Sequence, residues 1–476
     1  MKRLTFTGLV LLICFQSFGQ NKKTDYTEIL NVIDLWLEAQ RDFDRLPGMS
    51  VAIVQDQDIV FKNGYGYADL EKKTPMKPET LFSICSISKL FTSVAIMQLW
   101  EQGKIRMDDT LSALLPQYQI NQKFSDSVPI TVRSLLTHSS GLTRDIDSSW
   151  NAPNYYFLKT EELKAFMDKT ESLYPASTYF QYSNLGMSLL GEIVANESGK
   201  SYNSYVEEFI LKPLQLSDTR PYLPKEMWRK ELATGYGALN RQGIRKMQPF
   251  FEINSYAPAA GFSSNVIDLA KFASWQFRLL SGTDPDVLKP STLKEMQRIQ
   301  WISPDKKRTW GYGFFIGYDG SGTATIGHDG YCPGYVSVVT IEPKSKIGVS
   351  VMINSQGVSI YRYSSQIFSF MNKFNSMETD TTTKNIDLTE YQGLFDSYGL
   401  DGETLVMPVK GKLILLDFPT HSPADDITEY KYIKRDVFRK IRPDDKSLGE
   451  ELVFERDSKG KVSRVRSFSV YMNRME

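Results

Sequence analysis

Cysteine and histidine are both scarce. Three of each in 476 residues cannot build a disulfide framework or a histidine-rich metal centre, and none of Cys14, Cys85 and Cys332 stands in a C-x-x-C pair. Net charge is missing too. The 56 basic residues balance the 56 acidic ones with no basic run, so no nucleic-acid partner and no anionic lipid surface is expected. Long apolar runs are also lacking: the clearest, residues 4–15, falls short of the roughly 20 residues a transmembrane helix needs. What is present is 41% hydrophobic and 12% aromatic content. That is enough for more than one packed unit, since a single core rarely grows beyond about 250–300 residues, and it excludes general disorder.

Lys2 and Arg3 precede the apolar run, and Ser17-Phe18-Gly19 follows it with small residues at a cleavable spacing. Residues 1–19 therefore read as a secretory signal peptide, with the mature protein secreted or periplasmic. Helical periodicity over 25–43 precedes two short apolar runs, 49–54 and 59–67, around the polar segment Gln55-Asp56-Gln57-Asp58, a hairpin signal. Residues 87–100 are apolar on nearly every face and are closed by Gly103, which predicts a buried central helix. Helical patterns continue to about residue 280. Strands are expected at 312–317, 323–326, 335–341 and 347–353, and a helix at 360–374. The division is signal peptide 1–19, main domain 20–376, polar linker 377–386 and a β-rich domain 387–476, with strands at 413–416, 452–454 and 462–465, the last two joined through Asp457-Ser458-Lys459-Gly460.

The segment Phe82-Ser83-Ile84-Cys85-Ser86-Ile87-Ser88-Lys89 opens the central helix. A hydroxyl and an amine three residues apart share one helical face, so Lys89 can take the proton of Ser86 once burial lowers its pKa. The spacing alone carries little, because it recurs at Ser291/Lys294, Ser303/Lys306 and Ser458/Lys461, in a helix start, a turn and a hairpin loop. Ser86 is distinguished by standing at the mouth of a strongly apolar helix, where the dipole favours developing negative charge. The plainer reading makes it an N-cap. Tyr182-Ser183-Asn184, ahead of a helical run at 185–194, offers a phenol for proton relay and an amide for a substrate carbonyl, although Tyr471-Met472-Asn473 has the same spacing. His328-Asp329-Gly330, the one His-x-Gly of the chain, ends an expected strand where glycine permits close approach.

Together and in this order, the three motifs resemble the serine β-lactamase and penicillin-binding protein superfamily, on the branch of class C β-lactamases, D-alanyl-D-alanine carboxypeptidases, D-aminopeptidases and related esterases. Pro47-Gly48-Met49-Ser50-Val51-Ala52, Leu135-Leu136-Thr137-His138-Ser139-Ser140-Gly141-Leu142, Gly261-Phe262-Ser263-Ser264 with Asp268-Leu269-Ala270, and Gly334-Tyr335 extend the resemblance over residues 46–354. It implies Ser86 as nucleophile, Lys89 as the activating amine and Tyr182 as proton shuttle. It further implies Asn184, His328 and Gly330 as substrate-binding positions, and the backbone N–H groups of Ser86 and Tyr331 as an oxyanion hole. His138 would be structural. The implied fold is an α/β sheet with an all-helical subdomain (β-lactamase/transpeptidase-like), and the tail is similar to the small lipocalin-like β domain appended to many such hydrolases. The resemblance implies an acyl-enzyme serine hydrolase acting on an amide or ester, a peptidase, carboxypeptidase or β-lactam-like reaction. A carboxylesterase is the alternative, and a slowly acylated peptidoglycan- or β-lactam-binding sensor is the alternative of another class. No metal or cofactor is implied, and the partner is a small-molecule or peptide substrate.

The sequence departs from that pattern in carrying His328 where many relatives have lysine, which removes a permanent positive charge. Cys85 replaces a frequent glycine, and Pro175-Ala176 a frequent Pro-Gly. Cys85 and Cys332 would both lie near the cleft. A bridge between them, which needs Cα atoms about 4.4–6.8 Å apart, is not expected.

Overall fold

The computed structural model describes residues 24–475 apart from 147–149, 151, 283–285, 307–308, 319–321 and 401. The signal-peptide assignment to 1–19, and Cys14 with it, lies outside the described residues.

Strand segments from the two ends of the main domain form one nine-stranded antiparallel sheet. Its order is Thr74–Pro75, Asp58–Asp69, Gly48–Gln55, Ile347–Ile353, Tyr335–Glu342, Ala324–Cys332, Phe315–Tyr318, Thr309–Trp310 and Trp301–Ile302. The central strands are buried almost without interruption because both of their faces are covered. Ala52, Val54, Val339 and Met352 pack with the helices of the middle segment. Val51, Ile53, Val338 and Val351 pack instead with Thr27–Phe43 and Tyr361–Ser376. The Gly48–Gln55/Asp58–Asp69 hairpin and the strand Ile347–Ile353 lie where the pattern predicts them. The strand expected at 312–317 begins only at Phe315, because Gly311 N–H bonds to Phe314 O at 2.9 Å and closes a tight turn first.

The central helix, Ser88–Glu101, is buried from Ser88 to Leu99. It ends in a Schellman motif: Lys104 N–H bonds to Leu99 O and Gly103 N–H to Trp100 O, both at 3.0 Å, with Gly103 at φ +70°. Asn184–Ser198 packs beside it, and Val266–Leu280 lies on the sheet.

The tail forms a closed eight-stranded barrel, from Gly393–Asp396 round to Val470–Arg474, which pairs back through Phe395 and Arg474. The hairpin Leu448–Arg456/Val462–Ser467 turns through the predicted Asp457-Gly460 segment. Inside, Tyr391, Phe438 and Phe454 fill the axis with ring centroids 4.7–5.6 Å apart. Alternation along Glu403–Val409 turns Val406 inward, while Leu405, Met407 and Val409 pack with the two helices on the outer sheet face. Lys410, at the hairpin tip, donates to Phe374 O at 2.5 Å and Met377 O at 2.8 Å, satisfying carbonyls at the end of Tyr361–Ser376. The polar 377–386 segment lies against the same tip, where Asp380 N–H bonds to Lys410 O and the Thr383 hydroxyl to Gly411 O.

Candidate active site

Ser86 lies in a 3₁₀ turn, Cys85–Ile87, just before the central helix, with Cys85 at φ +52°. It is not a helix cap: neither this turn nor the following helix has a side-chain cap bond. Its Oγ lies 3.1 Å from Lys89 Nζ. The same Nζ lies 2.7 Å from Asn184 Oδ1 and 2.7 Å from the carbonyl oxygen of Ala259.

Asn184 stands where it does because the residues before it are held from several sides. Ser183 caps the helix through Gly186 N–H at 2.9 Å and donates to Thr143 O at 2.7 Å, while its own N–H bonds to His138 Nδ1 at 3.2 Å. Asn184 Nδ2 donates to Asp145 Oδ1 at 2.6 Å, and this fixes the amide with its oxygen toward Lys89. The orientation decides the chemistry. A neutral amine has two N–H groups and one lone pair, and two of the three neighbours of Nζ are oxygens that can only accept. The lone pair is left for Ser86, the one neighbour able to donate a proton. Complete burial pushes the Lys89 pKa well below its ordinary value, which favours this neutral form; nearby Asp145 opposes the shift without reversing it.

Tyr182 is buried against this group. Its ring faces Lys89 Nζ at 4.8 Å and the Arg144 guanidinium at 5.1 Å, and its hydroxyl shares a hydrogen bond with Ser86. Burial raises its pKa and keeps the phenol protonated. His138 stacks on Tyr182 at 4.4 Å and is itself buried, with Nε2 unpartnered. His328 lies on the other side, 6.3 Å from Tyr182 and 5.6 Å from Trp310 between ring centroids. It is 2% exposed, its Nδ1 lies 2.5 Å from Asp329 O, and burial lowers its pKa to about 4. The imidazole is thus uncharged and stands behind the cleft wall, which is formed by Asp329 and Tyr331.

Gly330 brings the strand against the nucleophile turn: a Cβ there would meet Ile84 O at 2.1 Å. Ser337 Oγ, on the neighbouring strand, donates to the same carbonyl at 3.0 Å. The close approach overturns one expectation. Cys85 and Cys332 are joined by a disulfide with Cα atoms 5.8 Å apart, next to Ser86 on one side and Tyr331 on the other. Two cavities, of about 430 and 270 Å³, meet at Ser86, Arg144 and Tyr331; the larger runs toward Asp329, the smaller toward Asn184.

Ser86, Lys89, Tyr182, Asn184, His328, Gly330 and Tyr331 therefore gather at one place. Asp145, Arg144, Trp310 and the Ala259 carbonyl were missed. Arg144 and Asp145 follow the recognised 135–142 segment by only two and three residues, so proximity to that motif was the available signal. The accidental Ser-x-x-Lys at Ser458 and the Tyr-x-Asn at Tyr471 lie in the barrel. Among the described residues no group of three or more His, Cys, Asp or Glu side chains could hold a metal ion, and no helix is long and apolar enough to cross a membrane.

A buried amine between a hydroxyl and a fixed amide, on a sheet flanked by helices, defines the class of β-lactamase-fold hydrolases. The family model described as Beta-lactamase matches residues 33–362, and the chain belongs to that family. It is similar to Protein flp of Staphylococcus aureus (strain MW2), 26% identical over 77% of this chain and 74% of that protein. It also resembles Beta-lactamase-like protein 2 of Dictyostelium discoideum, 26% identical over 63% of this chain and 54% of that one. Among solved structures, the octameric penicillin-binding protein homologue from Pyrococcus abyssi superposes with a TM-score of 0.64 at 24% identity, covering 93% of this chain and 99% of that one. EstCE1, a hydrolase with promiscuous acyltransferase activity, gives 0.59 at 22% identity, covering 72% and 98%. At these identities the structural likeness is one of fold.

Proposed function

We propose that this protein is a serine hydrolase that acts on amides or esters through an acyl-enzyme at Ser86. The observation that carries the reading is the 3.1 Å contact of Lys89 Nζ with Ser86 Oγ, the remaining contacts of the amine being to obligate acceptors. Lys89 takes the hydroxyl proton as Oγ bonds to the substrate carbonyl carbon. Charge on the carbonyl oxygen is met by the N–H groups of Ser86 and Tyr331. Tyr182, kept protonated by burial, donates to the departing amine or alcohol and is reprotonated from Lys89. Water then releases the acyl group by the reverse relay. The leader-like residues 1–19 support export to the periplasm or the medium.

Within this chemistry, ester substrates are favoured over carboxypeptidase or β-lactam substrates by one feature. The uncharged His328 offers no fixed cation to the carboxylate that those substrates carry. The decisive experiment is labelling with a fluorophosphonate and with penicillin, mapped by mass spectrometry, beside kcat/KM on short acyl esters, D-alanyl peptides and nitrocefin. Ser86 is expected to carry the label and esters to turn over fastest. Equal labelling of Ser86→Ala would sink the mechanism, and a stable adduct without turnover would make the protein a sensor. Lys89→Ala and Tyr182→Phe should slow acylation more than His328→Ala, since they move protons.

A further inference from the structure

The larger cavity at Ser86 has an unusual wall. Tyr182, Trp310, Phe315, Tyr331 and Tyr361 supply five aromatic rings around it, and Asp329 supplies a carboxylate. Asp329 makes its ion-pair contact with the His328 imidazole, Nδ1 to Oδ1 3.6 Å, a ring that burial keeps uncharged, and the buried Lys89 amine acts on it from farther off. Tyr361 donates its hydroxyl to Asp329 and orients it. The Asp329 side chain remains 28% exposed toward the cleft.

Arg144 lines both cavities with its side chain 62% exposed; its guanidinium contacts Asp145 at 3.1 Å and lies over the Tyr182 ring at 5.1 Å, on the side of the chamber where the smaller cavity joins. Lys89 lies beneath Tyr182, wholly buried, and burial pushes its pKa well below the ordinary value. The residues that line the larger cavity and not the smaller, Tyr182, Trp310, Phe315, Tyr361 and Asp329, therefore form a chamber of four ring faces and one carboxylate that makes no salt bridge to a lysine or arginine among the described residues. Organic cations are bound by this combination, because an ammonium desolvated by rings keeps their quadrupole attraction and an ionic partner at once. An aliphatic chamber would suit a neutral acyl chain equally well; the carboxylate is what a neutral chain leaves without a partner.

We infer that the Asp329 chamber is a specificity pocket for a positively charged group, so that the preferred substrates are esters or amides carrying an ammonium a few bonds from the scissile carbonyl. The inference rests on the serine-hydrolase reading and deepens it to a substrate class.

Matched substrates test it in the full chain. One set places the charge in the leaving group: butyrylthiocholine, its neutral isostere 3,3-dimethylbutyl thiobutyrate, and the thiobutyrate of 3-mercaptopropanoate. A second set places it in the acyl group: p-nitrophenyl esters of 4-(trimethylammonio)butanoate, of 5,5-dimethylhexanoate and of a glutarate half-ester. In one of the two sets the cationic member should exceed its neutral isostere in kcat/KM by about tenfold. Asp329→Asn should collapse that ratio toward one, and Trp310→Leu should reduce it severalfold through loss of a ring. Because the readout is a ratio within one protein sample, partial loss of folded variant does not imitate it.

Equal rates for cationic and neutral members in both sets, with Ser86 still labelled by fluorophosphonate, would overturn the pocket and leave the hydrolase reading intact. A preference for the anionic members would overturn it in favour of Arg144, and a cation preference that survives Asp329→Asn would overturn it as well. Absence of both turnover and Ser86 labelling would overturn the hydrolase reading itself.

Discussion

The Ser86 cleft and the C-terminal barrel bury opposite kinds of group. Behind the cleft lie Lys89, His138, His328 and Asn184, all nearly or wholly inaccessible, and the Nε2 atoms of both histidines lack a partner. Inside the barrel lie Phe395, Val406, Leu413, Phe438, Phe454 and Val465. At its periphery Arg456 pairs with Asp436 at 2.6 Å and Glu390 at 2.9 Å. Burying a polar group without a full set of partners destabilises a fold, and burying rings does the reverse. The polar groups buried at the cleft include the amine that the proposed mechanism uses as proton acceptor, and burial lowers its pKa. The barrel packs as an ordinary core.

Substitutions in each region should separate activity from stability. Ser86→Ala should lower kcat/KM by on the order of 10⁴ or more, with an unchanged Tm in a thermal melt; retention of a few per cent of the activity would break the contrast. Phe454→Ala, which empties the barrel axis, should remove about 3–5 kcal/mol of stability in urea titration, while kcat of the protein that remains folded stays the same. A loss of turnover there would show that the barrel reaches the chemistry.

Acid should act on the cleft side. His328 titrates at about 4 when folded against an ordinary 6.5, so between those values the unfolded chain binds the extra proton and stability falls as pH falls. The loss over that window is roughly 3 kcal/mol for this group alone. His138, its pKa also pushed down by burial, adds in the same direction. Urea titrations at pH 7 and 4.5 should show a smaller drop for His328→Gln than for the unaltered chain, and the full drop for Phe454→Ala. The smallest effect falls between the two regions. Lys410→Met removes the ammonium donor from the carbonyls of Phe374, which keeps the Met377 N–H, and of Met377, and should cost about 1–2 kcal/mol, read as a modest shift in the urea midpoint with kcat unaltered.

Much of the scaffold was legible because local pattern fixes it. The apolar-rich run at 347–353 gave a strand with the observed bounds, and apolar residues on nearly every face of 87–100 gave a helix buried on nearly every face. Ser86 and Lys89 were legible as a pair because three residues of helix bring them together. Asp145 was not, because its part in the site runs through Asn184, 39 residues away, and neither residue signals the bond locally. The disulfide was not expected for the same reason: 247 residues separate its cysteines, and only the approach of Gly330 to Ile84 closes the gap. His328 was recognised by its motif, but its burial behind Tyr182 and Trp310 belongs to the packing of three separate segments.

Composition, periodicity and the order of three motifs singled out the residues that the fold gathers at one cleft, since covalent spacing and helical geometry act within a few residues. The tertiary structure decided the state of those residues. Lys89 is out of water only because Asn184, Ala259 and the surrounding core close over it, which lowers its pKa, and Asp329 keeps a partly exposed side chain beside a buried imidazole. Protonation depends on solvent and on distant partners, and those are set when the chain has closed around them.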